Sequence, residues 1–155
     1  MKKIFLTTLI ALVAFSGVRA QDEMFKKFGN NKDITVVYIS KALLGLAGGM
    51  NFGNSDIKGL ANKLSMLEIY SSKQSDAIKM MKKEAEKLLK DDSEMETLMR
   101  ARDGEQLFTF VAKKSSDGKI KQLLMIADEP NEFSIIRLLG SFTMEDVEKI
   151  TVGEN

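Results

Sequence analysis

Any chemistry performed by this chain would have to come from serine, lysine, carboxylate or thioether groups, because the sequence contains neither histidine nor cysteine. That removes a Ser-His-Asp triad, a Cys-His nucleophile, an imidazole general base and the conventional zinc and copper sites. A serine can still be activated by a desolvated lysine, and two Ser-x-x-Lys spacings occur, Ser55 with Lys58 and Ser116 with Lys119. The Ser-Asp-Asn and Lys-Thr-Gly companions found in penicillin-recognising enzymes are missing. Chance supplies such spacings in a chain rich in both residues, and Ser116-Asp117-Gly118-Lys119 already reads as a hairpin turn.

Carboxylates gather at Asp91-Asp92-Ser93-Glu94 with Glu96, and at Asp128-Glu129 with Glu132, where they could offer oxygen ligands to Ca²⁺. Neither group has EF-hand spacing, so a helix end and a hairpin tip facing water are expected. Asp103 and Glu105 invite a glycosidase reading, but they flank a turn glycine and no second acid is placed across a cleft. Met80-Met81, Met95 and Met99 could hold Cu(I) through sulfur, whereas their periodicity assigns them to packing. The glycine-rich stretch 48–54 matches neither the P-loop nor the dinucleotide pattern and is read as a plain loop. No catalytic, cofactor-binding or metal-binding residue is assigned, and no cofactor is expected.

What the chain does declare is an address. Lys2 and Lys3, the apolar run Ile4 to Phe15 and the small residues Val18 and Ala20 form a secretory signal peptide over 1–20, with cleavage between Ala20 and Gln21. The run falls short of the roughly 20 residues a membrane-spanning helix needs. Without a cysteine there is no lipid acceptor, so no stable membrane anchor is expected after cleavage. The expected location is periplasmic or secreted. Losing Lys2, Lys3 and Arg19 lowers the basic residues from 23 to 20 against 22 acidic ones, which speaks against a nucleic-acid partner. The remainder, 21–155, has the length of one domain held by its core alone.

Elements follow from periodicity. Met24, Phe25 and Phe28 give an apolar edge to a short helix ending at Gly29-Asn30. Ile34 to Ile39 is a β-branched strand, and Ser40 caps a helix over Lys41 to Ala47 that stops at Gly48-Gly49. Asn54 or Ser55 caps a helix from Asp56 to Leu64, and Met66 to Ser71 alternates as a strand with unlike faces. Ser75 is expected to cap the longest helix, Asp76 to Lys90, whose stripe of Ile78, Met81, Ala85 and Leu88 should lie on the sheet. Four strands then form a meander, Met95 to Ala101, Gln106 to Lys113, Lys119 to Ala127 and Glu132 to Leu139. Their turns are Asp103-Gly104, Asp117-Gly118 and Glu129-Pro130-Asn131-Glu132. Thr143 and Asp146 form an acidic capping box for a last helix, Met144 to Ile150.

In the meander, Phe108, Phe110 and Ala112 oppose Leu107, Thr109 and Val111, while Leu123 and Met125 oppose Ile120, Leu124 and Ile126. Both faces are apolar, so the second is either capped by the terminal segments or serves as an interaction surface.

Val-Val-Tyr-Ile-Ser-Lys-Ala-Leu-Leu at 36–44, Leu-Glu-Ile-Tyr at 67–70 and Phe-Ser-Ile-Ile-Arg-Leu-Leu-Gly-Ser-Phe at 133–142, with the signal peptide and final helix, resemble the DUF4252 family. The resemblance covers most of the chain beyond the leader. It implies a small exported protein of Bacteroidetes with no established activity; some members are lipoproteins, from which this chain departs by lacking the acceptor cysteine. No catalytic residue carries over.

The expected fold is α+β, a mixed, largely antiparallel sheet of about six strands with helices mainly on one face. The expected function is a non-catalytic cell-envelope module for protein interaction or accessory signalling. Its partner would be an unknown envelope protein or a second copy, met through an apolar sheet face. The alternatives are a hydrolase using carboxylates or a Ser/Lys pair, and a carrier of a hydrophobic ligand.

Overall fold

The computed structural model describes residues 24, 26–49 and 55–151. The expected leader with its expected Ala20/Gln21 cleavage point, Phe25, residues 50–54 of the expected glycine-rich loop and the side chain of Ser55 lie outside the described residues. A helical segment through residues 26–29 leads into β1 (Thr35–Ser40), α1 (Lys41–Gly49), α2 (Ser55–Lys63), β2 (Leu64–Ser72) and α3 (Ser75–Asp91). The chain continues through β3 (Met95–Asp103), β4 (Gln106–Lys114), β5 (Ile120–Glu129), β6 (Glu132–Phe142) and α4 (Met144–Thr151). The architecture is α+β: one open sheet of six strands in the order β1-β2-β6-β5-β4-β3, with every pairing antiparallel.

Turn chemistry builds the meander. Gly104, at φ 59°, begins the two-residue connection between β3 and β4, and Pro130-Asn131 connects β5 to β6. The β4–β5 connection is longer than a tight hairpin. Gly118 adopts φ 83°, its N–H donates to Ser115 O at 3.0 Å, and Ser115 N–H donates to Lys119 O at 2.8 Å.

Two cores lie on opposite sides of the sheet. On the α3 face, Ala77, Met81 and Ala85 of α3 pack with Met24, Phe28, Tyr70, Val111, Leu124, Phe133 and Ile135. On the far face, Leu44 of α1, Leu60 of α2 and Met144 and Val147 of α4 gather over Leu64, Leu123, Leu138 and Phe142. Three of the four labelled helices, α1, α2 and α4, thus share the far face. The longest, α3, crosses the other face with the N-terminal segment.

Three local expectations are corrected. Ser75 sits inside α3; the cap position is Gln74, which makes no side-chain cap, and Ser72 Oγ instead accepts from Gln74 N–H at 3.1 Å. Ile120 joins Leu123 and Met125 on the far face because the register slips between Ile120 and Gln122, which breaks the strict alternation. Strand β2 begins two residues earlier than its alternation suggests, directly after α2, because Gly140 admits the junction: a Cβ there would collide with Lys63 O and lie 2.9 Å from Leu64 Cα. The acidic capping box forms as expected, with Thr143 N–H donating to Asp146 Oδ2 at 2.9 Å and Asp146 N–H donating to Thr143 Oγ1 at 3.3 Å.

Candidate functional site

The residues with chemical potential are dispersed. Ser116 lies in the β4–β5 turn beside exposed Lys119, where Asp117 accepts from Ser115 Oγ and from Lys119 N–H. Asp92 and Glu94 are both occupied by Lys113, at 3.0 and 2.7 Å, and Glu96 by Lys114 at 3.0 Å. Burial would raise the Asp92 carboxyl, but its hydrogen bonds from Lys113 and the Glu94 backbone hold it below the usual range; Lys113 is raised in return. Asp128 pairs with Lys82 at 2.8 Å on the α3 face, while Glu132 meets Lys73 at 3.6 Å. Asp103 and Glu105 flank the Gly104 turn. Met80, Met81 and Met95 belong to the α3 face, whereas Met99 is the register partner of Phe110 on the far face, so the four sulfurs do not converge. Among the described residues no group of three or more acidic side chains is placed to hold a metal ion.

What the fold does assemble is a surface. Strand register places Val37, Ile69, Ile136, Met125, Phe110 and Met99 side by side, one from each of the six strands, on the far face. The row nearer the helices is buried at its centre, at Leu138, Leu123 and Ala112, and opens to water at Glu96 on β3. In the six-residue row itself the central four are half-buried, and the ends open to water, Val37 at 38% and Met99 at 47% exposed. The next row outward is Thr35, Ser71, Ser134, Ala127, Phe108 and Ala101. Twelve positions in two rows carry no charged side chain.

This openness has a simple cause. Helices α1, α2 and α4 are anchored where β1 ends, β2 begins and β6 ends, so they cover one end of the far face and contact β1, β2 and β6. Among the described residues the helix side chains of the far-face core, Leu44, Leu60, Met144 and Val147, gather with Leu138, Leu123 and Ala112, and neither Phe108 nor Phe110 belongs to that cluster. At the hairpin-tip end, pairing sets Glu129 against Glu132 and Asp103 against Gln106, and the pleat directs these residues to the far face. A carboxylate border results, in which Glu132 meets Lys73 at 3.6 Å.

Behind the surface sits a buried polar cluster that strand alternation alone missed. Glu68 on β2 and Arg137 on β6 are 2% and 3% exposed, and Arg137 Nη1 donates to Glu68 Oε2 at 3.2 Å. Tyr70 is fully buried with its ring edge-on to Phe28, centroids 5.0 Å apart. Among the described residues its hydroxyl and Arg137 Nε make no hydrogen bond of normal geometry, though the hydroxyl lies near enough to Glu68 for the two to shift one another. Burial pushes the Glu68 carboxyl up against the pull of Arg137, and burial followed by the Glu68 charge pushes the Tyr70 hydroxyl up. The signal for this cluster was Arg137 itself, the lone charge within the apolar 133–142 run.

Compared with known proteins, the chain matches one family model, DUF4252, a domain of unknown function, over residues 25–150. No curated protein and no solved structure matches it significantly.

Proposed function

Because the chain belongs to the DUF4252 family, whose description carries no activity, we propose that it is a non-catalytic interaction module working outside the cytoplasm, with the open half of the far face as its contact surface. The carrying observation is the uncharged row from Val37 to Met99 across all six strands. A monomer gains from covering such a surface, since apolar area removed from water contributes about 25 cal/mol per Å². The dispersal of serines, lysines and carboxylates into turns and ion pairs fits the same reading. Export rests on the Lys2 to Ala20 leader pattern.

Two measurements test this reading. N-terminal sequencing of the protein recovered from the cell envelope should begin at Gln21. A photo-crosslinking amino acid at position 99, in living cells, should give discrete protein adducts, while the same group at exposed position 79 on α3 should give none. Absence of adducts at 99, or equal labelling from both positions, would reject the surface.

A further inference from the structure

Resting on that reading, we infer that the occupant of the open far face is an amphipathic helix of a partner protein, carrying an apolar stripe flanked on one side by lysine or arginine. The dimensions come first. Five inter-strand spacings make the apolar row about 24 Å long, the length of a helix of about 16 residues. On the opposite face the 17-residue α3 crosses the same sheet. The far face therefore offers, beside α1, α2 and α4, room for one more helix in the same layer, and sheet faces of this kind are covered by helices or by a second sheet.

Charge decides the flank. The two open rows are uncharged, and their hairpin-tip border carries Asp103, Glu129 and Glu132; among the described residues only Glu132 of these has an ion-pair partner, Lys73 at 3.6 Å. Lysines along that side of an incoming helix would meet unpaired carboxylates. A second copy of this chain fits less well. It would bring an identical acidic border, and two rows about 24 Å long and about 14 Å wide let two such platforms bury on the order of 700 Å² face to face, short of the roughly 1,200 Å² at which stable interfaces begin. A single helix binding reversibly suits that area.

The test uses protein purified after expression of the full chain and two 18-residue helical probe peptides with the same leucine stripe, one flanked by lysine and one by glutamate. The lysine peptide should bind saturably at 1:1, shifting backbone amide resonances of Ile69, Phe110, Met125 and Ile136. It should bind at least tenfold more tightly than the glutamate peptide at low salt. Asp103→Lys with Glu129→Lys should reverse that preference, and Met125→Glu, checked for native circular dichroism, should abolish binding of both. Equal affinity for the two peptides, shifts confined to α1, α2 and α4, or a concentration-dependent dimer whose shifts fall on the same row would overturn the helix. If adducts still form from position 99 in cells, the contact surface survives and only its occupant is wrong; if they do not, both fall.

Discussion

Arg137 and Glu68 are direct register partners on β6 and β2, and their side chains meet at 3.2 Å with almost no exposure to solvent. Such a pair gains less than its distance implies, because Arg137 Nε makes no hydrogen bond among the described residues and both ions are desolvated. Removing one partner leaves the other as an uncompensated buried charge. Glu68→Ala or Arg137→Ala should therefore cost about 3–5 kcal/mol, whereas Glu68→Leu with Arg137→Met should recover most of the loss. Urea unfolding of the three variants decides it; a double variant as unstable as the singles would show that volume, not charge, sets the cost. The carboxyl is raised from its ordinary 4.5, so its contribution is greatest below that value and is lost as pH rises above it through the raised folded value. Glu68→Gln should remove that component.

Gly140 and Gly45 should respond in opposite directions to alanine. At Gly140 the new methyl meets the Lys63 carbonyl and Leu64 backbone, which cannot rotate aside, so a loss of about 1–3 kcal/mol or more is expected. Around Gly45, within α1, a Cβ has nothing within 4 Å, and Gly45→Ala should gain about 0.5–1 kcal/mol from helix propensity. Thermal melts of the two variants give the signs directly.

Asp146 ties α4 to α2. The hydrogen bond from Lys63, at 2.6 Å, and that from Thr143 N–H hold its carboxyl down to about 2. A depressed carboxylate stabilises above its unfolded value of about 3.9 and loses that stabilisation as pH falls toward 2. Lys63 is half-exposed, so screening limits the effect to about 1 kcal/mol. Asp146→Asn should lower stability at neutral pH by about that much and flatten the acid limb between about pH 4 and pH 2. An unchanged acid limb would contradict the assignment.

At the ends of the apolar row, Val37→Lys and Met99→Lys should leave folding stability within about 0.5 kcal/mol, because both side chains already meet water. Each should reduce capture of the lysine-flanked probe peptide. A large destabilisation from either would mean that the row serves cohesion within this chain.

The strands, their turns and the α3 stripe were legible because they are local: Gly104, Gly118 and Pro130 mark corners, and Ala77, Met81 and Ala85 repeat at helical spacing. Pairing of β2 with β6 was not, since Glu68 and Arg137 are 69 residues apart and alternation says only that Glu68 and Tyr70 share a side. Bulges defeat alternation too, as Ile120 shows. The candidate surface was half legible. Sequence gave two apolar faces to the meander, but only register lines up six strands, and only helix placement shows which rows stay open.

The β2–β6 pairing also makes the sheet a garment sewn from two pieces, the β1-α1-α2-β2 portion and the β3-to-β6 portion, with α3 as the thread between them. Adjacent strands in each piece find each other early in sequence terms, while the stitch line closes a long loop and comes last. Amides along that line should be the first in the sheet to give up their protons to deuterium during partial opening, and a copy caught with the line undone could be sewn to its neighbour instead of to itself.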